Sequence, residues 1–345
     1  MARCRAARPR EPVMSAGYAF VPLPDRVLVR ERTEIVHDRR VQGTLSGRLE
    51  ITLVAEQPVH VGSGYKGLVD GKAVRRGALV RGVPGVPGSS LKGVVRSRYE
   101  AITRSCIPGG AKANWKVRSR TFGLDNAPAR LTRSVRDKEV FCAQEYPRDL
   151  MLCPACALWG RMSFRSRVSV TDFVSLGAEP FEISKMPKQF GPNLHHVGPF
   201  KRNTGGGRGD NEPAIEVHDL HGRKFALCPG PATTQDAMEL VEAIPRRSQL
   251  RGEMRMKNVL PAEIGGLLIA LGWGRPRDRS ALKLGGGKAL GFGRLRVSSI
   301  TYRLHDHAGK DVLHDEVAWC DAFERTDDCF PAGLQKLVEI HQGDC

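Results

Sequence analysis

Two glycine-rich segments with interleaved cations are the residues of this sequence best suited to contact a phosphate. The first, VPGSSLKGVVRSRYEAI at 86–102, places a flexible turn directly before a predicted helix that carries Lys92 and Arg96. A helix start presents unpaired backbone N–H groups and a partial positive charge, both of which favour an anion, and we expect Ser89 or Ser90 to be its N-cap. The alternative interpretation is an ordinary capped surface helix.

The second segment, LKLGGGKALGFGRLRV at 282–297, carries five glycines among four cations. Glycines let backbone N–H groups approach a phosphate closely while the cations neutralise it. The order of a nucleotide P-loop, G-x-x-x-x-G-K-[ST], is missing. The residues predicted to contact phosphates here are Lys283, Gly286, Gly287, Lys288 and Arg294.

The cysteines indicate a metal site. Cys153 and Cys156 form a C-x-x-C pair, a spacing that provides two ligands to a tetrahedral ion. Cys106 and Cys142 are the most economical completing pair, and four thiolates would make a structural Zn²⁺ site that ties this region together. Two alternatives stay open: a thioredoxin-like motif, whose flanking pattern is missing, and free buried thiols.

Charge and composition favour a polyanionic partner. The 345 residues include 54 Lys and Arg against 37 Asp and Glu, a formal net charge of +17, and the arginines are spread along the whole chain. Because only 6% of residues are aromatic, contacts to phosphates should outweigh base stacking. No run approaches the roughly 18 apolar residues of a membrane span, and no signal-peptide core is present. We therefore expect a cytoplasmic protein without a membrane partner.

The glycine-rich segments and the cysteines lie within a regular order of predicted strands and helices. Alternating apolar and polar residues predict strands at 46–62, 165–176, 248–260 and 291–304, with helices at 90–104 and 261–274. This order predicts an α+β protein with a split β-α-β sheet, the ferredoxin-like or RRM-like arrangement. A loop is expected from 62 to 85.

The remaining stretches are expected to be insertions into that core or extensions at its two ends. Residues 106–160 look like a zinc-bearing insertion, and 182–222 a loop-rich, mobile one. Residues 1–17 are predicted as a disordered basic lead-in, and 305–345 as a C-terminal appendage. The core domain is thus expected to span 18–304.

Three stretches, VPGSSLKGVVRSRYEA, CPACALWGR and LKLGGGKALGFGRLRV, together resemble the signatures of the CRISPR-associated RAMP superfamily. The segments at 18–29 and 256–274 further resemble single-chain RAMP proteins related to the backbone subunits of type III effector complexes. The resemblance implies a ferredoxin-like core, binding of CRISPR RNA through both glycine-rich segments, and packing against other effector subunits. It also implies zinc in the insertion, because related chains are similar in carrying it there.

The resemblance further implies a cleavage residue. Backbone subunits of the family cut target RNA with an aspartate between the first strand and the glycine-serine helix, and Asp70 is the only acid between 62 and 82. Its carboxylate, among Lys66, Lys72, Arg75 and Arg76, would hold Mg²⁺ or Mn²⁺ or orient a 2′-hydroxyl for attack on the adjacent phosphate. The alternative is that Asp70 only forms an Asp-Gly turn.

Two other functions stay open from the sequence. RNA-processing nucleases of the same superfamily cleave without metal, typically with a histidine as general acid or base, and His60, His195 and His196 are candidates. A purely structural assembly subunit would bind RNA without cutting it. The chain departs from the backbone subunits in one respect: the segment at 202–212 stands where they carry an I-D-R type stretch.

Overall fold

The computed structural model describes residues 17–32, 36–107, 151–161, 164–177, 179–187, 219–227 and 238–342, and the backbone of four further strands between 115 and 217. Its strands are β1 (Tyr18–Val21), β2 (Arg30–Glu31), β3 (Leu45–Ala55), β4 (Gly62–Val69), β5 (Lys72–Gly77), β6 (Leu79–Val80), β7 (Val83–Val86), β8 (Trp115–Ser119), β9 (Leu124–Leu131), β10 (Met151–Leu152), β11 (Val168–Val170), β12 (Phe173–Ser175), β13 (Glu182–Pro187), β14 (Phe200–Asn203), β15 (Ala214–Val217), β16 (Arg223–Ala226), β17 (Met238–Ala243), β18 (Gln249–Val259), β19 (Leu282–Lys283) and β20 (Arg294–His305). The helices are α1 (Gly88–Ile102), α2 (Pro154–Trp159), α3 (Pro261–Ala270), α4 (Glu316–Glu324) and α5 (Pro331–Gln342). None of them is long and apolar enough to cross a membrane.

The central sheet confirms the predicted order of elements in a mixed α+β protein. Its strands lie in the order β19-β20-β3-β18-β12-β7-β6, with β11 also paired to β18, and every pairing is antiparallel. Along the chain, β3, α1, β11 with β12, β18, α3 and β20 follow one another, which is the β-α-β-β-α-β order of a split β-α-β unit. Apolar residues that predicted these strands, such as Ile51, Val168, Leu250 and Val297, are buried.

The helices pack on one face of this sheet. Alternate residues of β3, Leu49, Ile51 and Leu53, are fully buried, and so are Leu91 and Val95 on α1. Burying a side chain of this size stabilises the fold by about 2 kcal/mol relative to exposure, so these alternating positions supply much of the core's stability.

The predicted loop at 62–85 is wrong, because the structure contains strands there. β4 and β5 form a hairpin that joins β17 and β13 in a second sheet of order β13-β17-β5-β4, while β6 and β7 extend the central sheet. The glycines that suggested a loop fit within strands: a Cβ on Gly77 would lie 2.5 Å from the ring of Phe181. Glycine here is required by close packing and not by chain flexibility.

Residues 305–345, predicted as an appendage, contribute α4 and α5 to the same core. Trp319, Phe323 and Leu337 are buried in it. The contact between α3 and α4 is close enough that a Cβ on Gly265 would lie 2.0 Å from the Trp319 carbonyl oxygen. The C-terminal helices therefore complete the hydrophobic core around α3.

A buried polar cluster joins α5 to α1. Arg98, 1% exposed, donates to the carbonyl oxygens of Ala270 (2.6 Å) and Ala281 (3.2 Å), to Ser280 Oγ (2.6 Å) and to His341 Nδ1 (2.7 Å). Burial lowers the pKa of Arg98 to about 9. Burial, and then the charge of Arg98, hold the pKa of His341 well below its usual value.

A second buried cluster fixes the start of α3. The Arg167 guanidinium donates to the carbonyl oxygens of Ala157 (3.0 Å) and Asn258 (2.6 Å) and forms a two-bond pair with the Glu263 carboxylate. Glu263 Oε2 also accepts from the Leu260 N–H at 2.9 Å. The pair thus links α2, the end of β18 and α3.

Candidate nucleic-acid interface and cysteine cluster

The start of α1 differs from its prediction in how it is capped. The helix begins at Gly88, the N-cap position is Pro87, and no side chain of the cap residue accepts a hydrogen bond, so Ser89 and Ser90 lie in the first turn. The predicted serine cap is wrong because Asp172, in the turn between β11 and β12, supplies the carboxylate: its Oδ1 accepts from Gly88 N at 2.7 Å. Asp172 was not found from the sequence, since this pairing joins distant segments.

The two predicted cations of α1 lie in different environments. Arg96 donates from Nε to Glu100 Oε1 (2.8 Å) and from Nη1 to the carbonyl oxygen of Gly160 (3.1 Å), so its guanidinium joins α1 to the end of α2. Lys92 is half-buried and, within the part of the chain that the structure describes, forms no ion pair. Burial, and then the charge of Arg96, lower the pKa of Lys92. Lys92 is therefore the cation that the first turn of α1 offers to a ligand.

The second glycine-rich segment is a tight hairpin between β19 and β20. Gly285, Gly287, Gly291 and Gly293 all have positive φ, between +67° and +86°, which explains the need for glycine. The N–H of Gly286 donates to the His60 carbonyl oxygen at 2.8 Å, so this group is already paired within the protein. Gly287 is buried.

Two predicted phosphate contacts in this segment, Lys283 and Arg294, are buried with their charged groups bonded inside the protein. Lys283 Nζ donates to Gln57 Oε1 and to the Phe292 carbonyl oxygen, each at 2.8 Å, and Arg294 pairs with Glu56. Burial, and then Arg294 and Lys288, lower the pKa of Lys283 to about 8. We assign these two residues the task of holding the hairpin in place. Lys288 is the exposed cation of the segment.

The two glycine-rich segments lie at opposite edges of the central sheet. The hairpin joins β19 to β20 at one edge, whereas α1 follows β7 near the other. From β20 to β7 there are four strand spacings, about 19 Å at roughly 4.8 Å each. The two segments therefore do not form one site, and a strand of RNA would have to cross the sheet to touch both.

Asp70 lies at the tip of the β4–β5 hairpin and is exposed. Val69 pairs with Lys72 across a two-residue turn in which Asp70 has φ +49° and Gly71 has φ +72°, both positive as a type I′ turn requires. The Asp-Gly turn predicted as the alternative is thus present. In the described residues, Asp70 does not belong to a group of three or more side chains able to ligate one ion, so its surroundings give no support for Mg²⁺ or Mn²⁺.

The hairpin surface mixes cations with large apolar side chains. Arg75 pairs with Glu239 at 3.2 Å and Arg76 with Glu242 at 3.0 Å, which fasten β5 to β17. Tyr65 is 77% exposed, so an aromatic face is available on the strand that leads to Asp70.

Three cysteines come together behind the end of α1. Cys106 follows the helix, Cys153 precedes α2 and Cys156 lies in its first turn, and all three are buried. Their Sγ atoms are 3.6 Å (Cys153 to Cys106) and 3.7 Å (Cys106 to Cys156) apart, far longer than a disulfide. Four sulfurs at about 2.3 Å from a tetrahedral Zn²⁺ are roughly 3.8 Å from one another, so the spacing fits that ion. Cys142 lies outside the described residues.

The three cysteines belong to the main hydrophobic core, although they lie in the stretch 106–160 that was expected to be an insertion. Every residue of α2 is buried, including Trp159 at 2% exposure, and Tyr99 of α1 packs edge-on against that ring. Ala155 N donates to Ser105 Oγ at 3.0 Å, and Arg223 donates to the Cys106 carbonyl oxygen at 2.7 Å. These bonds fix the backbone on which the thiols stand.

Of the histidine candidates, the structure describes His60, and its surroundings are structural. His60 is 4% exposed, and its Nδ1 is 2.7 Å from the Glu242 carbonyl oxygen. Its position between the hairpin glycines and β17 is structural. His195 and His196 lie outside the described residues.

The architecture and these sites define an α+β protein with a basic exterior, two glycine-rich turns and a buried three-cysteine cluster. The RAMP superfamily model matches residues 52–296, and the chain belongs to that superfamily. This membership implies a role in binding CRISPR RNA. No curated protein matches the chain.

Proposed function

We propose that the chain is a guide-RNA-binding subunit of a type III-like CRISPR effector complex, and that its core is a ferredoxin-like RAMP domain. The observation that carries the proposal is the superfamily match over residues 52–296, which includes both glycine-rich segments. The net charge of +17, the exposed Lys288 and the half-buried Lys92 support it. The partners would be CRISPR RNA, target RNA and other effector subunits.

The RNA contacts are proposed at the half-buried Lys92 with Ser89 and Ser90 in the first segment, and at the exposed Lys288 in the second. The test is the pair Lys92→Gln and Lys288→Gln in one chain, with affinity for single-stranded RNA measured across a salt series. Two lost phosphate contacts should lower the slope of log affinity against log salt by about 1.4. The matched control, Arg277→Gln with Lys336→Gln, removes two cations on the α4–α5 side and should leave the slope unchanged. Equal slopes for the two double variants would contradict the assignment.

We further propose that Asp70 cleaves target RNA in the assembled complex. Support comes from its exposure and from the flanking cations Lys66 and Lys72, which would hold a phosphate near the carboxylate. The structure suggests Asp70→Asn as the sharpest variant, because Asn-Gly is itself a preferred type I′ turn and only the charge is lost. Cleavage should fall at least a hundredfold, a typical loss for a group acting on a proton in the transition state, with RNA binding unchanged.

Each other result of that assay selects another function. Cleavage by the Asp70→Asn complex at the wild-type rate would leave the residue as a turn former. If the intact complex never cuts, the protein is a non-catalytic assembly subunit. Cutting of repeat RNA by the chain alone, unaffected by EDTA, would identify a metal-independent processing nuclease.

The cysteine cluster is proposed as a structural Zn²⁺ site with Cys106, Cys153 and Cys156 as three ligands and Cys142 as the fourth. A closed site of four thiolates would stabilise the fold and supply no open position for chemistry. Metal analysis of the purified chain should find about one zinc per chain, and Cys153→Ser should lose it. Cys320→Ser, a buried cysteine on α4, is the control and should keep it. Zinc near zero in the wild-type chain would exclude the site.

A further inference from the structure

The loop at 36–44, which precedes β3, is bonded to the end of β18 through one buried amide side chain. Asn258, fully buried and with φ +53°, lies at an irregularity in the pairing of β18 with β3. Its Nδ2 donates to the carbonyl oxygens of Val36 (2.7 Å) and Arg39 (2.8 Å), and its Oδ1 accepts from Val41 N (3.3 Å). The loop backbone is therefore fixed from inside, whereas Asp38, Arg39 and Arg40 are exposed.

A basic cavity lies between this loop and the strand ends. It has a volume of about 450 Å³, and Arg39, Arg40, Lys257 and His305 line it against a single acid, Asp38. We name it the basic pocket. Without counting His305, its side chains carry three positive charges and one negative charge, so it favours an anion.

One of the residues that line the basic pocket has no room for a side chain. Gly47 lines it with φ +141°, and a Cβ there would lie 2.1 Å from the Arg303 carbonyl oxygen. Ser46 Oγ, beside it, accepts from Asn258 N at 3.0 Å. Glycine is required at position 47 by the close approach of the β20 backbone.

The two loop arginines are available to a ligand. Arg39 and Arg40 are exposed, and neither pairs with a carboxylate of any residue that the structure describes. Arg40 is directed across Gly309, where a Cβ would lie 2.9 Å from its Nη1. Lys257, by contrast, is positioned by its Nζ donating to the His37 carbonyl oxygen at 2.5 Å.

The basic pocket continues onto the face of the sheet opposite the helices. Arg48, Arg251, Arg255 and Arg303 project there and are between 42% and 61% exposed. They share two acids, so the face keeps a net positive charge: Glu50 lies 2.8 Å from Arg303 and 3.2 Å from Arg251, and Glu253 lies 2.9 Å from Arg255.

We propose that the basic pocket binds a phosphate group of an RNA strand that runs over this open face. The inference rests on the proposed RNA-binding function and adds a contact site to it. The pocket lies at the start of β3 and the glycine-rich hairpin beyond its end, so nine strand residues, about 30 Å, separate Gly47 from Glu56. A strand held at both places would be anchored at two ends of the sheet.

Charge chemistry, without base stacking, is the expected mode of binding. The open-face positions of β3, β18 and β20 in the described chain carry mainly charged and small polar side chains, and none of them is Phe, Tyr or Trp. Arginine pairs with phosphate oxygens through two parallel N–H bonds, whereas stacking needs an aromatic surface. Binding at this site should therefore be insensitive to base sequence and strongly dependent on salt.

The test is the exposed double variant Arg39→Gln with Arg40→Gln, assayed by fluorescence anisotropy on single-stranded RNA over a salt series. The salt slope should fall by about 1.4, and affinity at ~0.1 M salt by roughly 20-fold, equally for uridine-rich and adenosine-rich RNA. The double variant Arg277→Gln with Lys336→Gln removes the same total charge elsewhere and should bind as wild type. Thermal melting should show both variants folded as stably as wild type.

The other outcomes overturn the inference in distinguishable ways. If the Arg39, Arg40 variant binds RNA as wild type does and the Lys92, Lys288 variant binds it more weakly, the basic pocket is refuted and the proposed function is not. No RNA binding by the wild-type chain would sink both. Thermal stabilisation by inorganic phosphate that this variant loses, with RNA affinity intact, would identify a free phosphate as the ligand. Displacement of RNA by polyglutamate alone, with the variant insensitive, would point to an acidic protein instead.

Discussion

The contact of His341 with Arg98 predicts a specific loss of stability in mild acid. His341 is 2% exposed, its Nδ1 accepts from Arg98, and its Nε2 lies 3.2 Å from the Ala226 carbonyl oxygen, to which it donates. The folded protein therefore holds the imidazole neutral, and its pKa is well below the usual value because of burial and then the charge of Arg98.

The direction and the size of this loss of stability follow from proton linkage. In the unfolded chain His341 binds a proton below about pH 6.5, whereas in the folded chain it does not until a much lower pH. The stability from the neutral imidazole is fully present above about pH 6.5 and is lost as the pH falls from there towards the lowered pKa. Between about pH 7.5 and 5.5 the loss should be about 1.4 kcal/mol in the free energy of unfolding.

Urea unfolding at the two pH values measures this loss for the wild type and for His341→Gln. A glutamine can accept from Arg98 and donate to Ala226 but does not titrate, so the variant should lack this part of the pH dependence. His307→Gln, at an exposed position, is the control and should behave as wild type. If wild type and His341→Gln lose the same free energy between the two pH values, the neutral buried histidine is refuted.

Two further substitutions test packing. Glu263→Gln should cost about 3–5 kcal/mol in the free energy of unfolding because it leaves the charge of Arg167 buried without its partner, whereas Glu253→Gln, at an exposed pair, should cost less than about 1 kcal/mol; similar losses in a urea titration would contradict the assignment. Gly47→Ala should cost about 3 kcal/mol through backbone strain and overlap, and Gly43→Ala, at positive φ with open space around it, about 1 kcal/mol, which differential scanning calorimetry would distinguish.

The central sheet could be predicted because its pattern is local. Residues such as Leu49, Ile51 and Leu53 alternate with polar ones over a whole strand, so the period of two is visible without knowing the partner strand. The hairpin at 62–77 could not, because its glycines are there for contacts with a distant ring and a tight turn. The same residues in a sequence are typical of a loop.

The C-terminal helices did carry a local signal. Trp319 and Phe323 are four residues apart on α4, and Leu337 and Ile340 are three apart on the buried side of α5, spacings typical of amphipathic helices. The acidic residues around them instead favoured an exposed appendage.

The grouping of the cysteines could be predicted from the sequence, whereas the surroundings of the predicted phosphate contacts could not. The grouping of Cys106 with the C-x-x-C pair follows from the donor count that a tetrahedral ion needs, although 47 residues separate it from Cys153. The burial of Lys283 and Arg294 could not be foreseen, because it depends on partners, Gln57 and Glu56, that follow a different strand. Likewise, Asp172 contacts Gly88 at the start of α1 although 84 residues separate them in the sequence.

The backbone contact between α3 and α4 has a consequence for biosynthesis. Helix α3 is apolar on nearly every side, and the residues that cover it, including Trp319 against Gly265, are translated some fifty positions later. A nascent chain would therefore expose the face of α3 that α4 covers until α4 has been translated. Truncation before residue 316 should yield an aggregating polypeptide, even though both glycine-rich turns would be complete.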